Sequence, residues 1–264
     1  MTDNTSISVP MIKAHLSTNI EDKYNFMLLE SVDSTNTLAK RMAHEGVKTP
    51  LIIVADHQSA GRGRLGRSFY SPKNDGLYMS VLIDPQKEKL DISTLTPFVA
   101  TAVADAIDSL CGGRYVGIKW VNDLLVNGKK ICGILCESGR SVAGVDFAVI
   151  GIGVNLFETD FPTDIRDIAG SVYSCTEKKI DRAELVAKIV ENIDRCDKRF
   201  MDSYRERSVV VGKRVKVINH ENTYFARAVS ILDDGSLSVV DDHGKEERLC
   251  YGEISLRLDK NESV

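Results

Sequence analysis

Apolar positions along this chain fall in short blocks divided by polar turns, and the spacing inside the blocks alternates between strand-like and helical. Phe26–Leu29, Leu51–Val54 and Leu77–Ile83 are compact apolar runs of the kind that make buried strands. Leu38, Ala39 and Met42 follow Ser34-Thr35-Asn36 at helical spacing and stop at Gly46. Ser34 or Thr35 therefore caps a helix and leaves free N–H groups at its start. After Thr96-Pro97, a stripe of Phe98, Val99, Ala102, Val103, Ala106, Ile107 and Leu110 predicts an amphipathic core helix closed by Gly112-Gly113. Val116–Trp120 reads as a strand, and Asn127-Gly128 as a tight hairpin turn between Leu124–Val126 and Ile131–Cys136. A further strand over 145–156 ends in Gly151-Ile-Gly-Val-Asn155, and 157–172 is a polar loop or lid. Asp181, with Glu184 three residues on, opens a long helix lined by Leu185, Val186, Ile189, Val190, Ile193, Phe200 and Tyr204.

The two ends read differently. Residues up to about Asp22 are polar without a clear period, which predicts a flexible tail or short lead-in strand. Beyond Arg207, short β runs at Arg214–Ile218, Phe225–Leu232 and Ser236–Val240 precede a mixed run at Arg248–Leu258, with turns at Asp234-Gly235 and His243-Gly244. That spacing suits a small all-β barrel. The expected organisation is α+β: a lead-in over 1–22, a mixed-sheet domain with packed helices over 23–207, and a compact β domain over 208–264.

Composition narrows the classes. The 264 residues carry a net charge of −4, so no global basic field draws nucleic acid. No apolar run approaches the roughly 20 residues of a membrane helix, and the N-terminus does not read as a signal peptide. The six cysteines, at 111, 132, 136, 175, 196 and 250, lack the spacing and histidines of a zinc site and read as reduced thiols in a cytoplasmic protein.

Three blocks carry chemistry. Gly61-Arg62-Gly63-Arg64-Leu65-Gly66-Arg67 lies between two apolar strands. Its glycines allow positive φ and close backbone approach, and its guanidinium forks suit phosphate and carboxylate oxygens. Lys119-Trp120-Val121-Asn122-Asp123 precedes the hairpin that bears Lys129 and Lys130, with Gly133 beyond. Period-two alternation sets Lys130 on one face with Cys132, Ile134 and Cys136, held rigidly by the ladder. Asn122-Asp123 alone read equally as turn residues. The third block, Gly151–Asn155, permits close approach of a ligand, with Asn155 a candidate for a metal-bridged phosphate. No P-loop or dinucleotide fingerprint is present.

Together with Ser34-Thr35-Asn36 and Gln58, these blocks resemble the biotin protein ligases, over roughly Glu30–Leu258. Gly252-Glu-Ile-Ser-Leu256 is similar to the last barrel strand of that family. The family motif reads Lys-Trp-Pro-Asn-Asp, and Val121 stands here at its Pro. The resemblance implies a class II synthetase-like biotin–lipoate ligase fold followed by an SH3-like barrel, of the monofunctional type without an N-terminal DNA-binding domain. It implies that ATP, with Mg²⁺, adenylates biotin to biotinyl-5′-AMP, and that a lysine of a biotin carboxyl carrier domain then takes the biotinyl group.

Carried over residue by residue, the resemblance assigns biotin to Ser34, Thr35, Asn36, Gln58, Arg62, Gly63, Arg64 and Lys130. ATP and the adenylate fall to Arg64, Arg67, Trp120, Asn122, Asp123, Lys130, Gly133 and Asn155, and catalysis to Lys130 and Arg64. Mg²⁺ would arrive on the phosphates, with Asn155 the candidate protein contact. A lipoate or octanoate ligase or transferase of related fold is the nearest rival, and the dense arginine–glycine loop argues against it. A biotin-responsive repressor without its DNA-binding domain is a second, and exposed sheet edges leave a homodimer open.

Overall fold

A computed structural model describes residues 7–250, except 145, 158, 196, 198 and 219–222, together with 255–258. Two helices open the chain, α1 (Val9–His15) and α2 (Thr18–Glu21), before strand β1 (Asn25–Leu29), helix α3 (Thr35–His44) and strand β2 (Leu51–Ala55). Then come β3 (Gly76–Ile83), the long helix α4 (Leu95–Cys111), and β4 (Gly117–Lys119), β5 (Asp123–Val126), β6 (Lys129–Arg140) and β7 (Asp146–Asn155). Helices α5 (Val172–Thr176), α6 (Arg182–Arg195) and α7 (Phe200–Glu206) lead to β8 (Arg214–Ile218), β9 (Thr223–Ile231), β10 (Leu237–Asp241), β11 (Glu246–Leu249) and β12 (Ser255–Leu258).

The larger sheet has seven strands in the order β1-β2-β3-β7-β6-β5-β4. β1 and β2 run parallel and the other neighbours antiparallel, so the sheet is mixed. The smaller sheet is antiparallel, β11-β10-β9-β8-β12. Of the segment 252–256, residues 252–254 lie outside the described residues, while Ser255 and Leu256 pair with β8.

One face of the large sheet is covered by α4 and α6. Ile52, Val54, Leu77, Met79, Val81, Ile134, Ile150, Ile152 and Val154 point into that layer and meet the apolar stripe of α4. The same core continues into the small sheet through Val215, Val217, Ala226, Ala228, Leu237 and Val239. The opposite face carries a smaller cluster of Leu51, Ile53, Leu82, Phe147 and Val149 under Ala39 and Ala43 of α3. On that second face α3 packs over β2, β3 and β7, and the site lies beside it.

Two expectations need correction. Residues 9–15 and 18–21 are helical, not tail or strand: Ser8 caps α1 by accepting from Met11 N, Pro10 sits in its first turn, and Ile12, Leu16 and Ile20 bury into the core. Their four-residue spacing is itself a helical signal, diluted by the polar residues between. The helix expected to run from Asp181 past Tyr204 is two helices. Asp181 does accept from Glu184 N (3.0 Å), but around Asp197 the side chain takes the Arg199 N–H (2.9 Å) and the carbonyl takes that of Phe200 (3.1 Å). Such local capping competes with helix continuation, so α6 ends at Arg195 and α7 starts at Phe200.

Candidate active site

The second face is floored by glycine. Across the sheet, Ser80 of β3 stands opposite Gly151 of β7 and Tyr78 opposite Gly153; Gly153 in turn faces Gly133 of β6, and Gly133 faces Asp123 of β5. Each glycine lacks a side chain where another group lies. Asn36 rests on Gly151, Phe69 on Gly153, and Lys130 with Phe69 on Gly133.

Lys130 reaches this face through a bulge. Leu124 pairs with Cys132 but Leu125 with Lys130, so Ile131 is the extra residue. The extra residue reverses the alternation: Ile131 and Cys132 are both buried, and Lys130 emerges opposite Cys132 and Ile134. Strict period two set Lys130 on the face of those residues, and the bulge corrects this. The Asn127-Gly128 turn does form, both residues having positive φ (51° and 75°) as a two-residue hairpin loop requires. At the floor, the Lys130 ammonium pairs with Asp123 Oδ1 at 2.6 Å.

At the other end of the floor stands the start of α3. Ser34 caps the helix, its oxygen facing Thr37 N, and Ser34, Thr35 and Asn36 are all buried. Gln58 Oε1 accepts from both the amide (2.9 Å) and hydroxyl (3.1 Å) of Thr35, while its Nε2 donates to Ser71 Oγ (3.0 Å). Ser80 Oγ lies 2.8 Å from Thr35 Oγ1 and 2.6 Å from Asn36 Oδ1. Four of the expected residues, Ser34, Thr35, Asn36 and Gln58, thus gather in one polar cluster.

The glycine–arginine segment folds as a small hairpin between the two ends. Gly63 N donates to Arg67 O (2.7 Å), Phe69 N to Gly61 O (2.9 Å), and Leu65 and Gly66 take positive φ. Gly61 is packed against Phe69 O and Ser71, so only glycine fits there. Arg62 reaches Glu137 (3.4 Å), and Arg64 Nη1 donates to Asn122 Oδ1 (3.2 Å). Burial lowers the pKa of Arg64 from its ordinary value, Asp123 opposing and Arg67 reinforcing the shift. Arg67 itself is exposed at the rim.

Asn122 is a fixed bracket: its amide donates to Ile134 O (2.9 Å) and its carbonyl accepts from Ile134 N (3.0 Å). Trp120 is buried, with its indole N–H on Gly235 O (2.9 Å) of the small sheet, and the Trp120–Val121 peptide is cis. Asn155, at the end of β7, donates to Gly170 O (3.0 Å). Lys130 N donates to Ile168 O (2.7 Å) and its carbonyl accepts from Gly170 N (2.9 Å), so residues 168–170 are strapped along the start of β6.

Four contributors escaped the sequence reading: Phe69, Ser71, Ser80 and Glu137. Ser80 alone had a signal, a hydroxyl inside an otherwise apolar strand. Among the described residues no group of three His, Cys, Asp or Glu could cage a metal.

Residues 28–155 match the Biotin/lipoate A/B protein ligase family. The Bifunctional ligase/repressor BirA of Bacillus spizizenii is 31% identical over 216 residues, 78% of this chain and 66% of that protein. Its counterpart from Bacillus subtilis is 30% identical over 223 residues, 81% of this chain and 68% of its own, so the chain spans about two thirds of both. Among solved structures, the biotin protein ligase from Aquifex aeolicus in complex with biotin and ATP superposes with a TM-score of 0.75 at 29% identity. That match covers 89% of this chain and 99% of the Aquifex chain. By descent and by fold, this chain belongs to the biotin/lipoate A/B protein ligase family.

Proposed function

We propose that this chain is an ATP-dependent biotin protein ligase that makes biotinyl-5′-AMP and transfers the biotinyl group to a lysine of a biotin carboxyl carrier domain. The observation that carries the reading is the continuity of the glycine floor. It joins a polar pocket of Thr35, Asn36, Gln58 and Ser80 to a cationic end with Lys130 and Arg64. A small ligand with hydrogen-bonding groups at one end and a carboxylate at the other suits that layout. The ureido ring would meet Ser34, Thr35, Asn36 and Gln58, the chain would run along Phe69 under Arg62 and Gly63, and the carboxylate would reach Arg64 and Lys130.

In the first step a biotin carboxylate oxygen attacks the α-phosphorus of ATP. The bond to the β-phosphate breaks and pyrophosphate leaves. Two anions must meet, so the barrier is largely electrostatic, and a preorganised cation in a partly desolvated site lowers it. Lys130, fixed by its strand and by Asp123, serves that role; Arg64, braced on Asn122, contributes a second charge. Mg²⁺ would be carried in on the phosphates, with Asp123 and Asn155 the candidate oxygen donors to hold it, and would offset phosphate charge. In the second step the carrier lysine, deprotonated at its amine, attacks the acyl carbon and AMP leaves. Arg67, Trp120, Asn122 and Gly133 would frame the nucleotide side.

We divide the chain into a lead-in over 1–22, a catalytic domain over 23–207 and a C-terminal unit over 208–264, and read the small sheet as an SH3-like barrel. A cytoplasmic setting, with ATP at hand and thiols reduced, suits free Cys111, Cys132, Cys136, Cys175 and Cys250. No helix among the described residues is long and apolar enough to cross a membrane. The test is direct: mix the protein with ATP, Mg²⁺, a carrier domain and either biotin or lipoate, and weigh the carrier. A biotinyl adduct is expected; a lipoyl adduct alone would reassign the substrate.

A further inference from the structure

Glu137 ends the row of β6 residues that face the site, two positions beyond Leu135 and opposite Val149 of β7. Its half-buried carboxylate gathers donors from two separate elements. Asn36 Nδ2 (3.1 Å) and Lys40 Nζ (2.5 Å) come from α3, and Arg62 Nη2 (3.4 Å) from the glycine–arginine loop.

The consequence falls on Asn36. Both N–H groups of its amide are committed, to Leu135 O (3.1 Å) and to Glu137 Oε2. Its oxygen accepts from Ser80 (2.6 Å) and lies against Gly151 of the floor. A flipped amide would set oxygen against a carboxylate and a carbonyl with no hydrogen between them. The ionised partner makes this preference strong, because hydrogen bonds to charged groups are about twice as strong as neutral ones.

We infer that Glu137 is a positioning and specificity-determining residue, which locks Asn36 with its acceptor toward the pocket so that the pocket selects an N–H of a cyclic urea. Through Arg62 the same carboxylate ties the occupied pocket to the loop that covers the reacting end. Glu137 touches no reacting atom and acts through Asn36. The inference rests on the biotin reading above.

Calorimetric titration of biotin alone into wild type, Glu137→Gln, Asn36→Ala and the double variant tests it. Glu137→Gln should weaken binding by about 10–100-fold, the range for losing a hydrogen bond to a charged group. In the Asn36→Ala background the same change should alter affinity by less than about twofold, since residues acting as one unit are not additive. In steady state the KM for biotin should rise by the same factor while kcat at saturating biotin stays within about threefold. Thermal melting checks that each variant folds; if Glu137→Gln does not, Glu137→Asp, which keeps the charge but draws it back from Asn36, takes its place with the same expected direction. Wild-type affinity in the Glu137 variant, additive losses in the double variant, or a fall in kcat with KM unchanged would overturn the inference. Absence of biotin binding by wild type would instead remove the ligase reading itself.

Discussion

Lys130 lies across Gly133: a Cβ at that glycine would stand 3.2 Å from the ammonium and 3.3 Å from the ring of Phe69. The two residues are three apart in one strand, and they share a face only because Ile131 bulges out of register. The ammonium therefore sits on bare backbone and within reach of Asp123, instead of being lifted away by side chains.

Substitutions of the floor should rank by what they displace. At Gly133 a Cβ meets the flexible end of Lys130, so Gly133→Ala should weaken biotin binding by about tenfold. At Gly151 it collides with Asn36, whose side chain three hydrogen bonds hold in place. Gly151→Ala should therefore lose about 100-fold or more, because a buried polar network must be rearranged. Calorimetric titration with biotin measures both; equal losses would refute the ranking.

Lys130→Ala should slow adenylation by at least about 10²-fold, the scale of removing one preorganised electrostatic contact. ATP–pyrophosphate exchange reads the step without the carrier domain. Near-normal exchange would take Lys130 out of the chemistry.

Much of this site was legible in the sequence because its parts are local. The glycine–arginine segment, the Ser34–Asn36 helix start and the Asn127-Gly128 turn each announce themselves within a few residues. The strands and α4 were equally legible, since their apolar periods are long and uninterrupted. What escaped depends on register. Glu137 reads as one more charged residue in a strand until the pairing of β6 with β7 carries it to Asn36. Phe69 looks like a core aromatic until Gly153 supplies its seat. The face of Lys130 was misread because a bulge has no local signature when both flanking residues are apolar. The helices at 9–21 were missed for a different reason: three buried residues spaced by four were too few to outweigh their polar neighbours.

Arg64 braces the nucleotide side of the site through Asn122 while standing in the loop that covers it. Arg64→Gly should still form biotinyl-5′-AMP but release it about 10–100-fold faster, as expected for a lost hydrogen bond to a charged group. The free anhydride would label lysines of a bystander protein, which mass spectrometry of added albumin detects. Unchanged retention of the intermediate would deny the loop its gating role.

Alkaline pH should destabilise the fold. Burial pushes the Cys132 thiol well above its ordinary pKa, with Lys130 opposing weakly. The folded state then keeps a proton that the unfolded state loses above about pH 8.5, the free thiol's pKa, so stability is intact below that pH and falls as pH rises. Each such thiol should contribute a slope of about 1.4 kcal/mol per pH unit. Urea unfolding at pH 8, 9 and 10 measures it, and a flat stability across that range would contradict the assignment.

Arg207 offers the sharpest stability test, because it ties the chain to α4 and β4 just before the small sheet begins. Its buried guanidinium pairs with Asp108 and Asp105 at 2.6 Å and donates to Val116 O, while its own carbonyl accepts from Ile118 N of β4. Removing one partner of a buried pair costs about 3–5 kcal/mol, because the carboxylate left behind remains desolvated. Arg207→Met should therefore lose stability on that scale, and adding Asp108→Asn should recover part of it. Trp120, the single tryptophan, is buried beside Gly235 of the small sheet, so its fluorescence in urea reports that contact directly. Since one apolar core runs through both sheets, wild type should unfold in a single transition, and a small-sheet transition preceding it should emerge only in Arg207→Met.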